Sequence, residues 1–183
     1  MVKGKILPPD TSNDPSKILD PFSLMAQLPL QPYHVLVDLK SGSGAITISL
    51  AKHNYDGRIF ATDTSPLMRK NLQEKLSQSR LGNVQVYDSK QESKVIPKEG
   101  VDGVLLPLML IPDGEPSSVL NRAFGLLKKG AWAAVIEKHG SNGNPETGIL
   151  PESQIISLAK ESGFRFSERR DLNNNFYILI LRK

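Results

Sequence analysis

The sequence predicts an α/β domain: a doubly wound, mostly parallel sheet with helices on both faces, closed by an antiparallel C-terminal hairpin. Three observations carry this expectation. From Tyr33 onward, short apolar runs rich in β-branched residues alternate with segments of helical periodicity, which is the pattern of crossover units in a parallel sheet. The first run, Val35 to Leu39, passes directly into a glycine loop, Lys40-Ser41-Gly42-Ser43-Gly44. From Phe164 the rhythm breaks into two strand-like runs, FRFSERRDL and NFYILILRK, around a turn at Asn173 to Asn175. So tight a connection permits only antiparallel pairing, because a parallel pair needs a long crossover.

The elements follow in order. Residues 1–16 hold Pro8, Pro9 and Pro15 and read as an irregular lead-in, with a single domain expected over 17–183. A short helix is expected from Ser16 to Leu28, with Ile18, Leu19, Phe22, Leu24, Met25 and Leu28 as its apolar set. Val35–Leu39 is a buried strand, Ala45 to Lys52 a helix, and Arg58 to Thr62 a second strand. Ser65-Pro66 supplies an N-cap and a first-turn proline for a helix that carries Leu67, Met68, Leu72 and Leu76. Strands are expected at Asn83 to Tyr87 and within Val101 to Leu108. An amphipathic helix from Ser117 to Lys128 is expected to stop at Gly130, with its two lysines favourable at the dipole's negative end. Ala131 to Glu137 reads as a fifth strand, and Pro151 to Ser162 as a helix stopped by Gly163.

Composition narrows the function classes. Apolar content of 39% and charged content of 23% in 183 residues suit one globular domain with a full core. The formal charge of +4 is mild, and basic residues are dispersed apart from pairs such as Lys128-Lys129 and Arg169-Arg170. Nucleic-acid binding usually carries a denser basic stripe, so that partner class is disfavoured but stays open. The absence of cysteine removes disulfides, thiolate metal sites and cysteine nucleophiles. The start, MVKGKILPPD, lacks an apolar signal core, and the longest apolar run, near Leu105 to Ile111, is broken by Pro107 and too short for a bilayer. A cytoplasmic protein without membrane contact is expected.

Gly42 and Gly44 lie between a strand and a helix, where glycine lets the backbone turn sharply and approach a ligand beside free helix N–H groups. Asp63 ends the second strand, where doubly wound folds place a ribose-binding carboxylate. A dinucleotide or S-adenosylmethionine (SAM) fits this arrangement. The dinucleotide fingerprint wants a third small residue where GSGAIT has Thr47, and a dinucleotide domain would continue its parallel order past the closing hairpin, so a nicotinamide oxidoreductase is the last alternative.

VLVDLKSGSGAIT, GRIFATDTSPLM, LGNVQVYDS, VDGVLLPLML, AFGLLKKGAWAAVIE, the helix ending in SGF and the closing hairpin together resemble a class I SAM-dependent methyltransferase of the small-molecule or menaquinone-biosynthesis type, with its Rossmann-like sheet. The resemblance runs from about residue 17 to 183. It implies that Asp38 orients the loop or meets the methionine ammonium, and that Ser41, Gly42, Ser43 and Gly44 line the methionine and ribose side. It also implies that Asp63 accepts both ribose hydroxyls, with Thr64 and Ser65 beside it. The plainer alternatives are that Asp38 caps local backbone and that Asp63 starts the next helix.

Two departures stand out. The familiar loop is D-x-G-x-G-x-G, and Lys40 occupies its first glycine. A second version, D-L-F-A-G-S-G-A, used by several nucleic-acid methyltransferases, differs from DLKSGSGA at two positions and shows that a side chain fits there. The charge of Lys40 would help near SAM's carboxylate and oppose binding near its sulfonium. After the third strand, the family's acidic residue for the adenine amino group falls at Ser89-Lys90, with Asp88 two positions early; a small shift brings Asp88 or Glu92 to the base, or the contact is missing. Lys40 and Lys90 in one pocket leave open a fold that has lost ordinary SAM binding.

The acceptor motif N/D-P-P-Y/F of amino-methylating nucleic-acid enzymes is absent from LLPLMLIPDG, whose Leu106, Leu108, Met109, Leu110 and Ile111 face either a hydrophobic acceptor or the core. Glu137, Lys138 and His139 leave the fifth strand at the edge where ligands bind. His139 is a candidate general base and Glu137 a candidate acceptor contact; each is equally readable as a solvated or ion-paired loop residue. His34 and His53 read as structural or exposed, and no histidine–carboxylate group has metal-ligand spacing. Three functions therefore remain: SAM-dependent methyl transfer to a small-molecule acceptor, a catalytically degenerate binding or scaffold protein on the same fold, and a nucleic-acid methyltransferase.

Overall fold

The computed structural model describes residues 19–107, 116–139 and 150–183. The described chain runs α1 (Pro21–Gln27), β1 (Val35–Leu39), α2 (Ala45–His53), β2 (Arg58–Asp63), α3 (Pro66–Gln78) and β3 (Val84–Asp88). A 3-10 turn at Ser89–Gln91 leads into α4 (Glu92–Val95), followed by β4 (Val101–Pro107), α5 (Pro116–Leu126), β5 (Leu127–Lys138), α6 (Glu152–Glu161), β6 (Arg165–Asp171) and β7 (Phe176–Arg182). The seven strands stand in the order β3-β2-β1-β4-β5-β7-β6. The first five are parallel, and β7 is antiparallel to both β5 and β6. This is the doubly wound sheet and closing hairpin that the sequence predicts. Strand order reverses between β1 and β4, so the crevice for a ligand opens at their carboxyl ends.

Alternating side chains divide the core between the two faces. Val37, Phe60, Val104, Val135 and Leu179 pack beneath Leu120 and Ala123 of α5 and Ile155 of α6. Leu36, Ile59, Leu105, Ala134 and Ile178 pack beneath Leu24 of α1 and Leu50 of α2. Leu72 and Leu76 of α3 cover Ala61. At β4 the fit is tight: a Cβ on Gly103 would collide with the indole of the buried Trp132. Asn173 closes the hairpin by accepting the N–H groups of Asn175 and Phe176 on its side-chain oxygen.

Several boundaries differ from the sequence expectation. The first helix begins at Pro21, because Asp20 caps it through the N–H groups of Phe22 and Ser23; residues 1–18, and with them Ser16 and Ile18, lie outside the described residues. Phe22 is 71% exposed rather than in the core, with the His53 ring edge-on at 6.2 Å. Leu67, likewise expected in a buried set, is 58% exposed in the first turn of α3. The fifth helix ends at Leu126, not Lys128. Leu127 pairs with Val101, Lys128 forms an ion pair with Asp102 at 2.7 Å, and Gly130 and Ala131 bond to Lys183 at the chain's end. Long-range pairing thus extends β5 into a segment whose local pattern is helical. Met109, Leu110, Ile111 and Leu108 lie outside the described residues, whereas Leu106 is buried in the core. Among the described residues, no helix is long and apolar enough to cross a membrane.

Gly103→Ala is expected to lose about 1–3 kcal/mol of stability through overpacking against Trp132. Urea unfolding followed by the fluorescence of this single tryptophan checks it, as a lower midpoint at unchanged slope.

Candidate cofactor site

Residues 40–44 turn the chain from β1 into α2 by positive backbone angles at Lys40 (φ 62°), Gly42 (φ 55°) and Gly44 (φ 89°). For Gly44 the absence of a side chain is a packing necessity, since a Cβ there would collide with Leu72 of α3. A Cβ on Gly42 would meet nothing within 4 Å, so the loop opens onto free space at that point. The turn is held internally: Ser41 N–H donates to the Thr62 carbonyl at 3.0 Å, and Gly44 N–H donates to the Ser41 carbonyl at 3.0 Å. Lys75 of α3 reaches back to the carbonyl and hydroxyl of Ser43.

Asp63 stands across this loop, 6% exposed. Its Oδ2 accepts Gly42 N–H at 3.0 Å, and its Oδ1 accepts Ser65 N–H at 2.8 Å. It therefore anchors the loop and precedes the N-cap of α3, while each oxygen retains capacity to accept a further hydrogen bond. Asp38 lies below, 1% exposed, and accepts the Thr47 hydroxyl at 2.6 Å. Thr47, which argued against a dinucleotide in the sequence, is thus the residue that ties α2 to β1. Burial pushes the Asp38 carboxyl up to about 7, against the lowering by Thr47, and the neighbouring Asp63 charge adds to the rise.

Asp88 ends β3 in register with Asp63. Its Oδ1 accepts Lys90 N–H at 2.9 Å, and its Oδ2 pairs with Nη2 of Arg69 at 3.0 Å. Arg69 also donates from Nη1 to the Asp63 carbonyl at 2.7 Å. Sequence reasoning missed Arg69. The available signal was its place in the first turn of α3, six residues after Asp63, where the helix still faces the strand ends. Ser89 is half-buried, while Thr64 and Lys90 are exposed, so Lys90 meets Asp88 by its backbone. Glu92 is buried, pairs with Arg122 of α5 at 3.0 Å and lies against the Thr62 side chain at the end of β2; burial raises its carboxyl's pKa.

Glu137 and His139 lie at the same carboxyl edge, beyond β4. Glu137 is buried, accepts Lys138 N–H at 2.7 Å, and has its pKa raised by burial. His139 pairs with Asp171 of β6 at 3.2 Å. The candidate residues thus form two groups: Asp38, Lys40–Gly44, Asp63, Thr64, Asp88 and Ser89 around β1 to β3, and Glu137 with His139 across β4.

A sheet of this order, a glycine loop after β1 and a carboxylate across it at the end of β2 define the class I SAM-dependent methyltransferase superfamily. The chain belongs to the methyltransferase domain family, whose model matches residues 36–130. Its fold is similar to a SAM-dependent methyltransferase from Aquifex aeolicus, with 20% identity, TM-score 0.79 and 92% of each chain covered. It is also similar to an O-methyltransferase family 2 protein from Planctomyces limnophilus in complex with apigenin (14% identity, TM-score 0.77, 93% of this chain and 58% of that one). The [4+2]-cyclase SpnF shares the fold as well, at 15% identity and TM-score 0.76 over 92% of this chain and 81% of that one. No curated protein matches the chain by sequence.

Two outcomes are expected from this geometry. A non-glycine residue at positive φ costs roughly 1–2 kcal/mol, partly offset by the roughly 0.5–1 kcal/mol of extra unfolded-state freedom that glycine brings. Lys40→Gly is therefore expected to raise stability by about 0.5–1 kcal/mol in chemical denaturation. The raised pKa of Asp38 means that the folded protein binds its proton more tightly than the unfolded chain does. Its contribution is complete below the ordinary value of 3.8 and is lost as pH rises through about 7. Melting temperature measured from pH 4 to 8 is expected to fall along this stretch more steeply in the wild type than in Asp38→Asn.

Proposed function

We propose that the chain binds SAM at the glycine loop and transfers its methyl group to a small-molecule acceptor. The observation that carries this reading is Asp63. A strand-end carboxylate holds the Gly42 N–H across an open stretch of loop and keeps lone pairs free for a vicinal diol. The charge set fits as well: two buried carboxylates, Asp38 and Asp63, favour a ligand whose reacting centre is cationic. When bound, SAM supplies an electrophilic methyl group on positively charged sulfur. The protein's part is to hold it and to align an acceptor beside it.

In this reading Asp63 takes the ribose hydroxyls, with Thr64 beside it, and Ser41, Gly42, Ser43 and Gly44 border the methionine and ribose. Asp38 acts from beneath the loop through Thr47. Asp88, shared with Arg69, and Ser89 border the base. Lys40 stands at the methionine end, where its ammonium attracts the carboxylate. The solved structures described as O-methyltransferases, including the mitomycin 7-O-methyltransferase MmcR, support a small-molecule acceptor. Since a described cyclase has the same fold, binding and transfer have to be measured directly.

Calorimetric titration of the wild type with SAM is expected to show binding, and Asp63→Ala to weaken it about 10- to 100-fold through loss of charge-assisted hydrogen bonds. No heat and no thermal shift at millimolar SAM would sink the proposal. A cation near Asp38 favours its ionised form, so binding near pH 7 should release protons, seen as a dependence of the heat on buffer ionisation enthalpy that disappears in Asp38→Asn.

A further inference from the structure

The hairpin register lines up three polar side chains at the far end of the carboxyl edge. Asp171 of β6 pairs with Tyr177 of β7, which in turn pairs with Glu137 of β5. Residues directly opposite in antiparallel strands share a face. His139, two residues beyond Glu137, follows on that same face, and its N–H donates to the Asn175 carbonyl at 2.8 Å. Its ring lies 5.3 Å from that of Tyr177, and its Nε2 is 3.2 Å from Asp171 Oδ1. Asp171 is itself held. Arg169 donates to the same oxygen at 2.9 Å, anchors to Glu152 of α6 at 2.8 Å, and covers the Tyr177 ring at 5.0 Å.

This arrangement makes the two imidazole nitrogens unequal. The carboxylate of Asp171 takes the Nε2 proton, so the neutral ring presents its lone pair at Nδ1. The side chain is 31% exposed and therefore reachable. In the sheet order β5 stands two strands from β1, roughly 10 Å away, so His139 and the glycine loop share one carboxyl edge.

We propose that His139, oriented by Asp171, is the proton acceptor of the reaction and that the methyl acceptor is a hydroxyl, of phenol or enol type. This rests on the SAM-dependent reading above. A neutral amine attacks before it loses a proton, whereas a hydroxyl is a weak nucleophile until its proton leaves, so only the hydroxyl needs an oriented base here. The O–H bond breaks with its electron pair left on the acceptor oxygen, and that pair takes the methyl group. The proton passes to Nδ1 of His139 and later to water. Asp171 and Arg169 are positioning residues. The charged and titratable groups on the face of the imidazole are Asp171 and Arg169 of β6, Tyr177 of β7 and Glu137 of β5, with Glu152 of α6 acting through Arg169; Lys138 of β5 projects to the opposite face.

The test combines spectroscopy with kinetics on the full chain. Long-range proton–nitrogen NMR of 15N-histidine protein, with the His139 signals assigned through His139→Gln, is expected to show the Nε2–H tautomer. Asp171→Asn should convert it to a mixture, and Asp171→Glu should restore it. With SAM and a panel of simple phenols, His139→Gln should lower kcat about 10²- to 10⁴-fold and abolish the acidic limb of the pH profile. Asp171→Asn should lower kcat at unchanged KM, with partial rescue by Asp171→Glu. SAM affinity should be unchanged in all three variants. An Nδ1–H tautomer in the wild type overturns the proposal. So does SAM binding with transfer only to amines or with no phenol methylated, and so does phenol methylation that survives His139→Gln. These results leave the SAM reading standing, whereas absence of SAM binding removes both.

Discussion

Four pieces of chain are tied together through one residue. Asp63 ends β2, receives Gly42 N–H from the glycine loop and Ser65 N–H from the start of α3, and through its own carbonyl holds Arg69, which continues to Asp88 at the end of β3. With Asp63 only 6% exposed, these bonds are poorly screened, and losing them would strand a buried charge. The loop's position relative to the two strand ends therefore depends on this residue, and a ligand in the crevice would be read against the same carboxylate.

Lys40 shows what the loop requires of its residues. The turn out of β1 demands a left-handed backbone at position 40 whether or not glycine occupies it. A lysine there is tolerated at the cost of local strain, because Ser41, Thr62 and Gly44 close the turn around it by backbone hydrogen bonds. Its charge does not disturb this closure. The end of β3 is similarly buffered: Asp88 is neutralised by Arg69, and Lys90 contributes its backbone while its side chain stays exposed.

The opposite end of the carboxyl edge is organised by different means. Glycine turns and helix caps build the candidate cofactor side, whereas strand register builds the group of Glu137, Tyr177 and Asp171. Glu137 and His139 were readable as candidates from their place after a strand. Their neighbours were not, because Asp171 and Tyr177 arrive from a hairpin whose register depends on which face is buried.

The alternation of periods, the glycine loop, the strand-end Asp63 and the closing hairpin are local patterns, and by themselves they determined the fold class and marked the first half of the candidate site. Short-range chemistry suffices there, since apolar periodicity, caps and turn residues act within a few positions of one another. Only the tertiary structure decided that Leu127 and Lys128 open a strand rather than end a helix, because the partners of this segment, Val101 and Asp102 on one side and Lys183 on the other, lie far along the chain. It alone decided that Phe22 and Leu67 face outward, that Thr47 serves Asp38, that Arg69 joins two strand ends, and that His139 meets Asp171. Each of these depends on the packing or pairing of elements that are not neighbours in sequence, and that is fixed by burial and register, which no single stretch of sequence contains.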